Sequence, residues 1–449
     1  MTEAGAVRNL LEDPGARYRS GATTPTRVLD GYLAAIAARE GQIKAFTALN
    51  REGATAAAAA STHRWAEGRP LSPVDGMVVG IKDVIETADM PTGQGSPIWE
   101  GFETRRDAAS VQALREAGAV VLGKTTTTEF ATRHSFADTR NPHDTARTPG
   151  GSSSGSAAAV GGGMLDAALG TQVVGSILRP ASYCGAVGFK PSFGALNRGG
   201  ANDQLSQSCL GTIASTLCGA WALAAAIAKR VGGDPGHPAL RGDVDLPPAR
   251  TPRRMALLKT AGWAQLEPTA RQALERELDL WRSAGVEIVS EAEDADFAAL
   301  ETALGEAWPL TERILSWEFC WPLRSYPHAQ LSSIMQARMA VGLEMSLDDY
   351  EEALARRHAI RQSYGRVAEG VDGFVTLAAT GAAPRLDDTT GSPAMNVPAS
   401  LLGVPALSLP ILSDGGLPLG LQLIGKMGGD ADLMGLARWR LEFGANGGS

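Results

Sequence analysis

The middle of the chain contains a segment, residues 150–175, in which Gly, Ser and Ala dominate. Flexible linkers have this composition, but they rarely contain large apolar residues such as Val160, Met164, Leu165 and Leu169. We therefore expect an ordered stretch whose small side chains let neighbouring backbones approach closely. The segment is predicted to lie inside the fold and not to separate two domains.

The regions around this segment alternate between strand and helix patterns. Thr24 followed by Pro25 predicts the start of a helix. A short β-rich run ends at Lys82, a helical pattern covers residues 107–117, and a buried strand is predicted at 119–122. Such alternation indicates an α/β fold. Further strands are predicted at residues 255–258, 286–289, 373–377, 404–409 and 419–424.

Residues 290–370 are predicted to form a mostly helical insertion in a single domain that spans residues 1–449. This segment carries Trp308, Trp317, Trp321 and Tyr326. Two interpretations remain open. The rings pack in the core at helical spacing, or they form the walls of a substrate funnel for a hydrophobic or aryl group.

The composition bounds the class of protein. With 44% hydrophobic and 20% charged residues, the 449-residue chain has enough apolar material for a large core. The net charge of -8 and the absence of a basic stripe argue against nucleic acid and membrane surfaces as partners. The four cysteines have no CxxC spacing, which favours reduced thiols in a cytoplasmic protein. The longest apolar run, residues 217–228, is too short to cross a membrane and is predicted to be a core helix.

Three stretches carry residues suited to chemistry: residues 79–83 (VGIKD), 150–156 (GGSSSGS) and 170–181 (GTQVVGSILRPA). The second also matches GxSxG, the nucleophile elbow of α/β-hydrolases, with Ser153 as the serine. That motif requires a strand directly before it, whereas residues 143–149 are polar and interrupted by proline. No Gly-Lys-Ser/Thr follows the glycines of this stretch, which excludes a P-loop there, and no SxxK tetrad occurs, which excludes the β-lactamase arrangement.

Together the three stretches resemble the amidase signature family, and the resemblance extends over nearly the whole chain. It implies an α/β fold with a mixed central sheet covered by helices on both faces, and neither a metal nor a cofactor. The family's catalytic lysine falls on Lys82, its serine after a cis peptide bond on Ser152, and its nucleophile on Ser176. Further matching motifs lie at residues 20–24, 123–125, 128–131, 184–185, 188–191, 393–394 and 416–425.

These roles agree with elementary chemistry. A serine hydroxyl needs a neighbouring base to become a good nucleophile. Lys82 is a base only when neutral, and an apolar surround favours the neutral form. Ser152 would relay the proton between Ser176 and Lys82. The oxyanion hole is expected to consist of the backbone amides of Val173, Val174, Gly175 and Ser176. Histidines are expected to have structural or surface roles, including the two nearest the motifs, His134 and His143.

The chain departs from the commonest family pattern, in which an aspartate precedes the nucleophile by four residues and an arginine follows it by two. Those positions hold Gln172 and Leu178, while Arg179 follows Ser176 by three. This arrangement resembles the malonamidase branch, in which the arginine meets a substrate carboxylate; burial in a structural pair is the alternative. A further departure is Gly211, where the family usually has an acid. The substrate-binding residues are predicted to be Thr171, Arg179 and Gln207.

The sequence thus predicts an amidase that cleaves a C–N acyl bond through an acyl-enzyme. Its substrate is expected to be a small amide or an aryl carbamate, as in urethanases, and the protein a monomer or homodimer. No nucleic acid or membrane partner is expected. The alternative is an amidotransferase A-type subunit that delivers ammonia within a partner complex.

Overall fold

The structure is a computed structural model that describes residues 10–132, 134–203, 205–386 and 389–446. It contains one mixed sheet of eleven strands. They are β1 (Phe46–Leu49), β2 (Val78–Lys82), β3 (Val120–Thr125), β4 (Ala167–Gln172), β5 (Val187–Lys190), β6 (Cys209–Ala214), β7 (Arg254–Leu257), β8 (Glu287–Val289), β9 (Gly373–Leu377), β10 (Ala406–Asp414) and β11 (Leu417–Ile424). Across the sheet their order is β1-β3-β2-β4-β6-β5-β10-β11-β9-β7-β8.

Helices fill the connections between strands. Those of the first half are α1 (Ala16–Arg19), α2 (Pro25–Ile43), α3 (Arg51–Ala66), α4 (Ala109–Glu116), α5 (Ser154–Gly161), α6 (Leu178–Cys184) and α7 (Leu217–Val231). Those of the second half are α8 (Pro268–Ser283), α9 (Ala295–Leu304), α10 (Ala307–Leu323), α11 (Ser333–Glu344), α12 (Leu347–Glu369), α13 (Val397–Leu402) and α14 (Asp430–Asn446). The predicted α/β class, with a mixed sheet, is confirmed.

The alternation of side chains along the strands places apolar residues on both faces of the sheet. In β2, Val79 and Ile81 pack with α4 and α7, whereas Val78 packs with α2, α3 and α5. Because side chains two residues apart share a face, Lys82 points to the same side as Val78, towards α5. The sheet is therefore covered on both faces, and the covering helix nearest to Lys82 is the one that follows Ser152.

The small-residue segment is ordered, as the sequence predicts, and forms α5 and β4. The close approach of neighbouring backbones explains why this segment consists of small residues. A side chain at Gly161 would place its Cβ 1.9 Å from the carbonyl oxygen of Cys184, which is well inside van der Waals contact. No described strand precedes Ser153 where a nucleophile elbow would need one, because the nearest β-contact is an isolated bridge at Arg147. The elbow assignment is thus excluded by the backbone as well as by the sequence.

The helix starts and the segment after residue 290 also follow the sequence. The Thr24 hydroxyl accepts a hydrogen bond from the amide of Arg27, and Pro25 is the first residue of α2. Residues 295–369 form α9 to α12. Residues 217–231 form α7, of which most residues are buried. Within the described residues, no helix combines the length and apolar character needed to cross a bilayer.

A buried ion pair joins two helices on one face of the sheet. Arg440 of α14 contacts the Glu277 carboxylate of α8 through Nε and, at 2.7 Å, through Nη2. The two side chains are only 8% and 4% exposed, and the Trp281 indole N–H donates to the same carboxylate at 2.6 Å. Removing one charge from a buried pair leaves the other desolvated and without its partner.

We predict that Arg440→Met lowers the free energy of unfolding by about 3–5 kcal/mol. Urea denaturation followed by circular dichroism measures the change. The matched control is Arg282→Met, because Arg282 also pairs with an acid, Asp279, but both side chains are at least half exposed. We expect this control to be nearly silent. Equal stability of the two variants would contradict the prediction.

Candidate active site

The site lies where two parallel strands end. Lys82 is the last residue of β2 and Gln172 the last residue of β4, and these strands are parallel neighbours. Because the carboxyl ends of parallel strands meet at one edge of a sheet, the residues that follow them converge. Ser176 lies in the turn after β4, and Ser152 lies just before α5. The amide of Ser153 donates to the carbonyl of Ser176 at 3.3 Å, which joins the two segments directly.

Lys82 is completely buried, with three short contacts to its ammonium group. Its Nζ lies 2.7 Å from Ser152 Oγ, 2.8 Å from Thr171 Oγ1 and 3.2 Å from the Thr171 carbonyl oxygen. Burial lowers the pKa of Lys82 from its usual 10.5 to about 7, and the charge of Asp203 opposes this shift. Near neutral pH the amine is therefore uncharged in a large fraction of molecules, and it can accept a proton from Ser152.

The segment around Ser152 is held on both sides. The Gly151–Ser152 peptide bond is cis. Arg179 Nη2 donates to the Gly151 carbonyl at 2.8 Å, and the Thr128 amide donates to the Ser152 carbonyl at 3.3 Å. These contacts fix the backbone that carries the Ser152 hydroxyl over Lys82.

Ser176 and Ser153 differ in their access to the cavity. Ser176 is 6% exposed and lines a cavity that Arg179, Trp308 and Glu312 also border. Ser153 has no exposed surface, and its hydroxyl lies 3.4 Å from the Thr171 carbonyl. Of the two serines that sequence patterns single out as nucleophiles, only Ser176 faces a space that a substrate could enter.

Three residues were predicted to contact the substrate, and two of them are fully buried. Thr171 is fully buried and bonds to Lys82. Gln207 is also fully buried, and its Nε2 donates to the Val173 carbonyl at 2.9 Å. Both side chains are enclosed by the core, where one contacts Lys82 and the other contacts the turn after β4. Arg179 lines the cavity, but it also bonds to Gly151 and, at 3.1 Å, to Thr390.

The four aromatic residues considered for a funnel lie in different surroundings. Trp308 lines the cavity. Trp317 stacks on Tyr350, and Trp321 is 79% exposed. Tyr326 stacks on Phe130, with ring centroids 5.4 Å apart. The spacing of these aromatic residues on helices fixes which share a helix face, but not which face meets the site.

The helical region contributes a charged pair that the sequence analysis missed. Glu312 of α10 and Arg338 of α11 both line the cavity. Arg338 Nη2 lies 2.8 Å from each oxygen of the Glu312 carboxylate, and its guanidinium stacks over Phe319 at 5.4 Å. Neither residue lies in a recognisable motif. Only the packing of α10 against α11 brings them together.

Comparisons with known proteins agree with this geometry. A family model described as Amidase matches residues 27–434. A relative from Chloroflexus aggregans (strain MD-66 / DSM 9485), named as the A subunit of glutamyl-tRNA(Gln) amidotransferase, is 33% identical over 92% of each chain. A solved structure described as an amidase superposes with a TM-score of 0.83 at 27% identity, over 96% of this chain and 99% of that one. The A subunit of the Thermotoga maritima glutamyl-tRNA(Gln) amidotransferase gives a TM-score of 0.73 at 26% identity, with 94% of each chain covered. The chain belongs to the amidase signature family.

The difference in access between the two serines yields a prediction. We expect a serine-directed fluorophosphonate to attach to Ser176 and not to Ser153, because only Ser176 borders the cavity. Mass spectrometry of peptides from the labelled protein identifies the site. Ser176→Ala should abolish labelling, whereas Ser153→Ala should retain it. An adduct on Ser153 would reverse the assignment.

Proposed function

We propose that this protein hydrolyses a C–N acyl bond through an acyl-enzyme on Ser176. The observation that carries the proposal is the 2.7 Å contact between Ser152 Oγ and the buried amine of Lys82, which has its pKa lowered to about 7. Such a pair can take up a proton at neutral pH. We propose Ser176, which is 6% exposed and borders the cavity, as the hydroxyl that gives up this proton.

The reaction begins when Ser176 Oγ bonds to the substrate carbonyl carbon while its proton passes through Ser152 to Lys82. Amides in the 173–176 turn stabilise the oxyanion that forms. The C–N bond then breaks, and the leaving nitrogen takes the proton back from Lys82 through Ser152. Water attacks the acyl-enzyme by the same relay and releases a carboxylic acid, which regenerates the Ser176 hydroxyl.

The dependence on a neutral lysine predicts a pH profile. Below a pH of about 7 Lys82 binds a proton and cannot act as a base, so kcat/KM should fall on the acid side and level off above about 8. Lys82→Arg, which stays protonated, should lose at least about a thousandfold in kcat/KM while remaining folded.

His143→Ala is the control for the pH profile, because His143 lies near the motifs but its Nε2 contacts the Cys184 carbonyl at 2.9 Å. It should change kcat/KM by less than about threefold, in line with ordinary surface substitutions. A histidine variant as inactive as the lysine variant, with an unchanged circular dichroism spectrum, would contradict the relay.

The substrate that the cavity favours is a small polar amide. Trp317 stacks on Tyr350 and Trp321 is 79% exposed, which weakens the argument for an aryl carbamate. The side chains at the cavity include Arg179, Glu312 and Arg338, which suit charged groups. We propose a linear amide with a carboxylate close to the scissile bond as the first candidate, acted on by a cytoplasmic protein that functions alone.

The second candidate is an amidotransferase A-type role, in which the chain releases ammonia from glutamine for use by a partner. Two observations favour it. The relative from Chloroflexus aggregans carries that name over 92% of both chains. In addition, Glu312 and Arg338 offer one charge of each sign at the cavity, which is complementary to the ammonium and carboxylate groups of an amino acid.

A substrate comparison separates these candidates. Malonamate, glutamine, a neutral anilide and an aryl carbamate are offered to the purified chain, alone and with the other subunits of a bacterial glutamyl-tRNA(Gln) amidotransferase. Turnover of malonamate by the chain alone supports the first candidate. Release of ammonia from glutamine only in the presence of those subunits supports the second. Preferred turnover of the carbamate would contradict both choices of substrate.

The same assay tests the charged pair. Arg338→Met should raise KM for malonamate or glutamine by about 10–100-fold and leave the anilide nearly unchanged, because a charge-assisted hydrogen bond contributes roughly 1.5–3 kcal/mol. Arg313→Met is the matched control, since Arg313 is a neighbour on α10 that pairs with Asp349 and Glu352 outside the cavity. An equal loss on every substrate would contradict a role for Arg338 in recognition.

A further inference from the structure

Gln172 occupies a position where the family usually has an acid, and the structure shows what its side-chain amide does. Its Oε1 accepts hydrogen bonds from the amides of Ile177 at 2.8 Å and Leu178 at 3.1 Å. Both donors lie at the start of α6, where backbone amides lack partners within the helix. A neutral side chain thus satisfies two amides just after Ser176, without the arginine that usually accompanies the acid.

The orientation of the Gln172 amide follows from these contacts. Since both backbone partners are donors, the atom that meets them must be the oxygen. Nε2 therefore faces Ser400 and donates to its Oγ at 3.0 Å. The Ser400 hydroxyl proton is then directed to the Val174 carbonyl, 2.7 Å away. The chain of donors runs in one direction, from Gln172 through Ser400 to the turn that carries the nucleophile.

Ser400 is one of several donors that hold the carbonyls of this turn. Gln207 Nε2 holds the carbonyl of Val173 at 2.9 Å. The Arg179 amide holds the carbonyl of Gly175 at 3.1 Å, and the Ser153 amide holds the carbonyl of Ser176 at 3.3 Å. All four carbonyls from 173 to 176 are therefore bonded within the protein, and two of them by side chains from distant parts of the chain.

The directions of the carbonyls fix the directions of the amides. A trans peptide unit is planar, and its N–H points opposite to its C=O. With the carbonyl of Val174 held by Ser400, the N–H of Gly175 points away from Ser400. In the same way, Gln207 directs the N–H of Val174. None of the described residues accepts a hydrogen bond from the amides of positions 173–176, which makes these amides candidates to meet a substrate oxygen.

The turn also has no space for a side chain at Gly175. A Cβ there would lie 2.7 Å from Asn396 Oδ1, and Asn396 is held by the Ala378 carbonyl and Gln422, each at 3.0 Å. Asn396 directly precedes α13, the helix that carries Ser400. This short helix thus supports the turn at two adjacent peptide units, by a hydrogen bond at Val174 and by contact at Gly175.

We infer that Ser400, oriented by Gln172, is a positioning residue of the oxyanion hole, and that Gln207 supports the neighbouring peptide unit. The inference rests on the proposed acyl-transfer function of Ser176. Its effect is to hold the amides of Val174 and Gly175 in place before the carbonyl oxygen gains charge. Preorganised donors of this kind stabilise the transition state more than the bound substrate, so their loss lowers kcat and leaves KM nearly unchanged.

The test uses Ser400→Ala and Ser400→Cys, with Ser408→Ala as the matched control. Ser408 is a fully buried serine of β10 that borders no described part of the cavity. Cysteine fills nearly the same space as serine but is a weak donor. We expect both Ser400 variants to lower kcat on the order of tenfold, with KM within about twofold. This is less than the roughly 10²–10³ lost when an oxyanion donor is itself removed. Ser408→Ala should keep the wild-type kcat.

A second readout needs no knowledge of the substrate. In fluorophosphonate labelling, a bond forms between Ser176 Oγ and phosphorus, fluoride leaves, and the hydroxyl proton passes to the relay. Because the phosphoryl oxygen occupies the oxyanion hole, the labelling rate should also fall about tenfold in both Ser400 variants. Their melting temperatures should stay close to that of Ser408→Ala.

The outcomes distinguish this inference from the proposed function. If wild-type protein turns over no amide and Ser176 cannot be labelled, the proposed function fails. If the wild type is active and Ser400→Cys retains both kcat and labelling rate, the positioning role is overturned. An equal loss in Ser400→Cys and Ser408→Ala would likewise overturn it, since burial alone would then explain the effect.

Discussion

The complete burial of Lys82 is the constraint on which the rest of the site depends. An amine serves as a base near neutral pH only if its charged form is destabilised, and in this protein burial lowers the pKa to about 7. That burial requires an apolar surround, which the fully buried residues of β2 help to provide. It also requires partners that suit either protonation state. The hydroxyls of Ser152 and Thr171 meet this need because each can donate or accept.

The position of Lys82 also explains why the chain around it consists of small residues. Ser152 has to reach the end of β2 from the segment before α5, and the neighbouring helix α6 has to lie close to α5. A Cβ at position 161 would lie 1.9 Å from the carbonyl oxygen of Cys184, so only glycine fits there. The linker-like composition is therefore a requirement of dense packing between β2 and two short helices.

Local patterns predicted the strand that ends at Lys82, the cap at Thr24 and the ordered small-residue segment, because each depends on neighbours in sequence. The motifs also predicted that Lys82 and Ser152 lie together, and their side chains are 2.7 Å apart. What escaped prediction depends on long-range packing. Ser400 lies 228 positions from Gln172, and no spacing rule links them. The two interpretations of the aromatic residues of α10 stayed open for the same reason, since helical period fixes a face but not what that face meets.

The residues around Lys82 and the charged pair at the cavity belong to different parts of the fold. Lys82, Ser152 and the carbonyl contacts of the 173–176 turn all depend on strand ends and tightly packed short helices, where a shift of one atom disturbs several neighbours. The Glu312–Arg338 pair instead bridges two helices outside the sheet, where side chains can change without altering the contacts of Lys82. A chain built in this way can keep one reaction while its substrate changes. This is a physical reason why relatives that share the fold carry names as different as amidase and amidotransferase subunit.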